Sequence, residues 1–167
     1  MRGVAYSLLF DIIYFSSLMD MSYLLLKVEN LETVESLRIV RNSCREYMTN
    51  YNQEIGHEQQ KEWFAKLDRN KNFPFLFFEK DNHMPIGYGF ITTNSNTCYL
   101  TAGLVEEYRG KSLGQILFNL LIGECKKMNF ENIELEVFKT NERAYKLYKK
   151  LGFKVISDNA NKYFMEL

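Results

Sequence analysis

The chain has 167 residues, 46% apolar and 25% charged, with 21 Lys and Arg balanced by 21 Asp and Glu; this is the composition of one ordinary domain with a full core. Its balanced charge leaves nucleic acid or an anionic membrane surface without an electrostatic basis as partner. Cys44, Cys98 and Cys125 lie far apart with no CxxC pair, and His57 and His83 are the only histidines; this argues against a disulfide framework and against a metal site, and fits a reduced, cytoplasmic setting.

The opening stretch MRGVAYSLLFDIIYFSSLMD is apolar, but Asp11 interrupts the run and no A-x-A-like cleavage site follows. It is also short of the roughly 18 uninterrupted apolar residues of a membrane span. Residues 1–20 therefore read as an extension outside a single domain over 21–167, with no stable membrane span expected. From Tyr23 the pattern becomes regular: LLLKV suits a strand, Asn30 a helix cap, and Val34, Leu37 and Arg41 to Cys44 continue at helical spacing. YMTNYNQEIGHEQQ reads as a loop and a candidate substrate wall, ahead of a second helix with Trp63, Phe64 and Leu67 on one face.

NFPFLFFEK, IGYGFITT and TCYLTAGLV, separated by DNHMP and NSN, predict a three-stranded antiparallel meander. Leu113, Ile116, Leu117, Leu120, Leu121 and Met128 then recur at helical spacing, and ENIELEV alternates with Ile133, Leu135 and Val137 on one face. NERAYKLYKKLGF predicts a helix from about Asn141, with Ala144, Leu147, Tyr148 and Leu151 on one side and Gly152 as its stop. FKVIS and KYFMEL supply two closing strands. The sum is an α/β domain on a mixed, mostly antiparallel central sheet flanked by helices.

The connection EYRGKSLGQIL contains Gly-Lys-Ser at a helix entrance. A phosphate loop of nucleotide hydrolases needs a glycine five residues before Gly110, and that position is Val105. The meander that precedes the loop is also the wrong neighbourhood for that motif. One alternative is a plain strand-to-helix turn with solvated charges. The other is an anion site, since unpaired N–H groups at a helix start suit a pyrophosphate and small residues at Gly110, Ser112 and Gly114 admit it closely.

LVEEYRGKSLGQIL and, downstream, LEVFKTNERAYKLYKKLGF together resemble the GNAT superfamily of N-acetyltransferases, whose acetyl-CoA loop reads R/Q-x-x-G-x-G/A between a strand and a helix. Arg109 and Gly114 match, and Ser112 stands at the family's first glycine; a serine there can keep right-handed geometry and offer a hydroxyl to the anion. The resemblance implies an acyl-CoA N-acyltransferase fold and acetyl-CoA as co-substrate, without a metal. It also implies direct attack by a primary amine in a ternary complex. CoA would then be held by Gly103, Leu104, Val105, Arg109, Gly110, Lys111, Ser112, Leu113, Gly114 and Gln115, with Asn141 near the pantetheine.

By the same resemblance Tyr148 stands where the family's thiolate-protonating tyrosine does, with Tyr145 and a purely structural role as alternatives. Glu136, in the L-E-V segment shared with ribosomal-protein alanine acetyltransferases, is the candidate base, or else part of a solvated strand face. Leu104 N–H is the expected oxyanion donor, with Gly103 permitting a bulge or close approach of the acetyl group.

The acceptor is read as a small molecule such as an amino sugar. RNSCREYMTNYNQEIGHEQQKEWF is faintly similar to the substrate side of nucleotide-aminosugar acetyltransferases, and its Arg38, Arg41 and Arg45 would suit phosphate. A protein N-terminus or side chain as acceptor, or an acyl-CoA-binding module without turnover, are the competing classes.

Overall fold

The computed structural model describes residues 22–49 and 52–167; the expected extension over residues 1–20 lies outside them. In chain order the elements are β1 (Tyr23–Lys27), α1 (Leu31–Ser43), α2 (His57–Ala65), β2 (Asn72–Glu79), β3 (Gly87–Asn94), β4 (Thr97–Leu104), α3 (Leu113–Lys127), β5 (Asn132–Phe138), α4 (Glu142–Lys150), β6 (Lys154–Asp158) and β7 (Lys162–Glu166). The strands form one mixed sheet in the order β1-β2-β3-β4-β5-β7-β6. Its one parallel pair is β4 with β5, joined over the sheet by α3.

The helices begin and end on local chemistry. Asn30 caps α1 by accepting from Thr33 N–H at 3.0 Å while Thr33 Oγ1 accepts from Asn30 N–H at 3.2 Å, a reciprocal capping box. α2 is shorter than expected: it stops at Ala65, and Asp68 accepts from Asn70 N–H at 3.0 Å to turn the chain into β2. Leu67 thus lies beyond the helix, and the buried positions of α2 are Gln60 and Phe64. Asn141 caps α4 by accepting from Ala144 N–H at 3.1 Å, and Gly152 follows that helix at φ 103°.

Each face of the sheet carries a core. On one side Val34, Leu37, Val40 and Cys44 pack with Phe64 against Leu76 and Tyr88. On the other, α3 and α4 cover Phe75, Phe77, Ile91, Leu100 and the alternating Ile133, Leu135 and Val137. The buried stripe of α3 is Leu113, Leu117, Phe118, Leu121, Ile122 and Cys125, whereas the expected Ile116, Leu120 and Met128 lie half-buried at its margin. α3 is apolar over more than one face, and the sheet takes the one that carries Phe118.

Leu121 is fully buried, and its side chain fills the space that a Cβ on Gly89 of β3 would occupy, 2.6 Å away. The glycine lets α3 approach the sheet that closely. Leu121→Ala is expected to lower unfolding free energy in urea by about 3 kcal/mol; a loss under about 1 kcal/mol would mean that this contact is not where α3 is anchored.

Candidate active site

β4 and β5 begin as hydrogen-bonded neighbours and then part. Their pairing runs through Thr97 with Asn132, Cys98 with Ile133 and Tyr99 with Glu134, and stops there, while β4 continues to Leu104 and β5 to Phe138. Antiparallel pairing alternates, so successive residues point their N–H and C=O to opposite edges. Val105 N–H donates to Ile86 O at 3.0 Å, continuing the unbroken β3–β4 register that sets Gly103 opposite Tyr88. Gly103 therefore bonds toward β3, and Ala102 and Leu104 turn their backbone groups into the gap. The unbroken register also corrects one expectation: there is no bulge at Gly103. A Cβ at Gly103 would lie 2.8 Å from the Tyr88 ring and 2.9 Å from Cys44 Cβ, so the glycine makes room for those two side chains.

The loop after β4 supplies donors. The backbone N–H groups from Gly110 to Gly114 have no acceptor among the described residues, and the next one, Gln115 N–H, closes onto Ser112 O at 3.1 Å. Gly110 stands at φ 85°, and Ser112 at φ 62° and ψ 5°, with no capping bond from its side chain. The expected right-handed serine is thus corrected to a left-handed one. The chain must turn back into α3 here, which glycine does freely and serine does at a cost of about 1–2 kcal/mol.

Gap and loop together line a cleft of about 760 Å³. Of the residues expected to hold CoA, Gly103, Leu104, Arg109, Gly110, Ser112, Leu113, Gly114, Gln115 and Asn141 line it, and Val105 and Lys111 do not. Lys111 lies over the Tyr108 ring at 5.1 Å. Arg109 is turned inward: Nε donates to Leu104 O at 2.9 Å, a terminal nitrogen reaches Ser43 O at 3.5 Å, and the guanidinium stacks on Tyr47 at 4.6 Å. It braces the end of β4 against the end of α1. Arg143, which the sequence reading passed over, brings a terminal nitrogen within 3.3 Å of where a Cβ on Gly110 would stand and also lines the cleft. Its place in NERA, in the first turn of a helix entering the site, was the available signal.

Tyr148 lies beside the cleft but does not line it; its ring packs edge-on at 4.8 Å against Phe118, which does. The hydroxyl makes no hydrogen bond among the described residues, yet no unpaired polar atom there is sealed from solvent, so it touches open space. Burial pushes its pKa up, and the phenol keeps its proton through the whole physiological range. Tyr145 instead packs on Tyr163, with ring centroids 4.9 Å apart. Glu136 is off the cleft as well, and its carboxylate accepts from Lys162 Nζ at 2.9 Å, an amine that also donates to Thr49 O at 2.8 Å. Cys44 does line the cleft, and burial raises its thiol pKa, with Ser43 and Arg109 opposing.

A second cavity of about 320 Å³ lies between α1, α2 and the sheet, and Met48 lines both. Of the three arginines read as a phosphate grip, only Arg41 lines it. Arg38 is bound to Glu35 at 2.6 Å and to Ile55 O at 3.1 Å, and its hydrogen bond is the main reason that the Glu35 pKa falls to about 2. Arg45 reaches Glu54 at 3.4 Å. Arg38 and Arg45 are each taken up by a carboxylate, and neither lines the cavity. Among the described residues no helix is long and apolar enough to cross a membrane.

The model of the Acetyltransferase (GNAT) family matches residues 37–153. The chain is 32% identical over 90 residues to a putative [ribosomal protein bS18]-alanine N-acetyltransferase of Bacillus subtilis, covering 54% of this chain and 60% of that protein. It is 35% identical over 91 residues to the uncharacterized N-acetyltransferase YdgE of the same organism, covering 54% and 53%. The chain thus spans little more than half the length of these curated relatives. A solved spermidine N-acetyltransferase from Vibrio cholerae, in complex with CoA and spermine, superposes with a TM-score of 0.75 at 18% identity, covering 89% of this chain and 96% of that one.

The left-handed serine gives a direct test of the loop. Ser112→Gly is expected to raise unfolding free energy by about 0.5–1 kcal/mol, the relief at φ 62° less the extra freedom glycine has when unfolded. Urea denaturation reads it, and an unchanged or lowered midpoint would contradict the strained turn.

Proposed function

The chain belongs to the GNAT family of acetyltransferases, and on that premise we propose that it transfers the acetyl group of acetyl-CoA to a primary amine, in a ternary complex, in the cytoplasm. The observation that carries this reading is the run of unpaired N–H groups from Gly110 to Gly114, set beside the unpaired inner edge of β4. A diphosphate needs several donors converging at a helix start, and a pantetheine arm with two amides needs an open strand edge. The residues present fit both.

When bound, acetyl-CoA supplies the thioester carbonyl that the amine attacks. Leu104 N–H, turned into the gap, donates to the carbonyl oxygen as negative charge builds there. Tyr148, protonated at physiological pH as any phenol is, gives its proton to the departing sulfur and regains one from solvent. Glu136 takes the proton shed by the amine through a water, its carboxylate being held in place by Lys162. Asn141 fixes the start of α4 and with it the placement of Tyr148.

A small-molecule acceptor is favoured by the modest second cavity beside the cleft and by the solved neighbour that carries CoA and spermine. An amino sugar fits that class, but the scattered Arg38, Arg41 and Arg45 remove the argument for a nucleotide attached to it. Acetylation of a protein N-terminus is the second reading, favoured by the alanine N-acetyltransferase relative.

Two substitutions test the roles. Tyr148→Phe is expected to lower kcat by about 100-fold or more while thermal stabilisation by acetyl-CoA persists; unchanged thiol release would remove Tyr148 as the acid. Glu136→Gln is expected to lower kcat/KM most at acidic pH, with the deficit closing as pH rises and the amine arrives neutral without help. A deficit of the same size at every pH would speak against a base.

A further inference from the structure

The second cavity contains a group that the fold itself leaves without a partner. Gln60, in the middle of α2, is only 3% exposed, and its side chain makes no hydrogen bond among the described residues. Among the described residues no sealed polar atom is left unpaired, so the carboxamide oxygen and nitrogen of Gln60 both reach the cavity that the residue lines. A buried amide is costly to leave unmet, about 1–3 kcal/mol, and here its complement has to come from whatever enters.

The surroundings define that complement. Trp63 and Phe90, with ring centroids 5.9 Å apart, form an apolar side, and Tyr88, whose hydroxyl donates to Met48 Sδ, lines it too. Thr101 of β4 opens into the cavity, and Gly103, two residues on and on the same face of the strand, lines the CoA cleft. That separation is about 7 Å, so an amine on a body seated in the cavity lies within reach of the gap. Among the described residues, Arg41 is the one lining residue with a full charge, and no carboxylate lines the cavity.

Building on the transferase reading, we propose that this cavity is the acceptor pocket, that Gln60 is its specificity-determining residue, and that it takes an α-amino amide. Such a molecule is an amine with a short apolar or aromatic side chain and an adjoining amide that pairs with both ends of the Gln60 carboxamide. A polyamine fits poorly, because its distal ammonium groups would face aromatic rings and, among the described residues, no carboxylate to meet them. The cavity is near the lower limit of ligand pockets, about 300 Å³, which suits one amino-acid residue. That residue can be a free amino-acid amide or the first residue of a peptide.

The test is calorimetry on the full chain loaded with CoA, using leucinamide, a leucine-initiated hexapeptide and spermidine, with acetyl transfer measured separately by thiol release. Leucinamide is expected to bind at least about tenfold more tightly than spermidine, and Gln60→Met to weaken leucinamide by about tenfold, the scale of one or two lost hydrogen bonds. Gln60→Glu is expected to narrow or invert the preference for leucinamide over spermidine. Thr101→Val, a change on the rigid strand, provides a second variant that is expected to weaken leucinamide in the same direction. Acetyl-CoA-induced thermal stabilisation checks that each variant is folded. Equal binding of the amide and the peptide supports a pocket that reads one residue, and much tighter binding of the peptide supports the same pocket with a longer acceptor. Tighter binding of spermidine by the unmodified protein, or leucinamide binding untouched by Gln60→Met and Thr101→Val alike, would overturn the proposal. Intact discrimination in binding with no acetyl transfer would overturn the transferase reading and leave the pocket assignment standing.

Discussion

Everything at this site depends on two neighbouring strands that share three residue pairs and then separate. β4 is held along its length by β3, and β5 from Glu134 to Phe138 by β7, so neither strand can swing to close the gap without breaking a ladder elsewhere. Backbone groups in the gap must find partners from outside the sheet, since unpaired N–H and C=O groups are costly when water is excluded. Arg109 meets one of these needs by donating to Leu104 O. The N–H of the same residue has no such partner among the described residues.

The loop at the mouth of the gap follows the same logic with charge added. Where the N–H groups of Gly110 to Gly114 are left without acceptors among the described residues, the chain takes left-handed geometry at Gly110 and again at Ser112. A serine in that conformation stores strain that a glycine would not. The structure keeps the turn because α3 is fixed beyond it by Leu113, Leu117, Phe118 and Leu121, all buried in the sheet's core. Packing of α3 thus holds the loop in this left-handed course.

Much of this architecture was legible in the sequence because local chemistry decides it. The meander, the alternation of Ile133, Leu135 and Val137, the Asn30 cap and the Gly152 stop depend on neighbours a few residues away, and the structure has them where periodicity and turn residues put them. The mixed sheet followed from the same reading, but the insertion of β7 between β5 and β6 did not, because strand order is a long-range choice. The parting of β4 from β5 carries no local mark either. Ser112 was expected to be right-handed because a helix entrance permits that geometry; its left-handed φ is set by the direction in which α3 must leave, which no neighbouring residue marks.

The cavity walls were the least legible part. Gln60 reads in sequence as one polar residue among His57, Glu58, Gln59 and Lys61, and only the packing of α2 on α1 shows that it is buried. Arg38 and Arg45, attractive as a phosphate grip, are drawn off by Glu35 and Glu54, partners that proximity in the fold provides. The central claim is that the unpaired edge of β4 and the N–H groups of the loop are the seat of acetyl-CoA. Amide hydrogen exchange resolved to single residues, with and without saturating acetyl-CoA, tests it most directly. Protection at Leu104 and from Gly110 to Gly114 is the predicted result, and acetyl-CoA binding that leaves those amides exchanging as before would contradict the account.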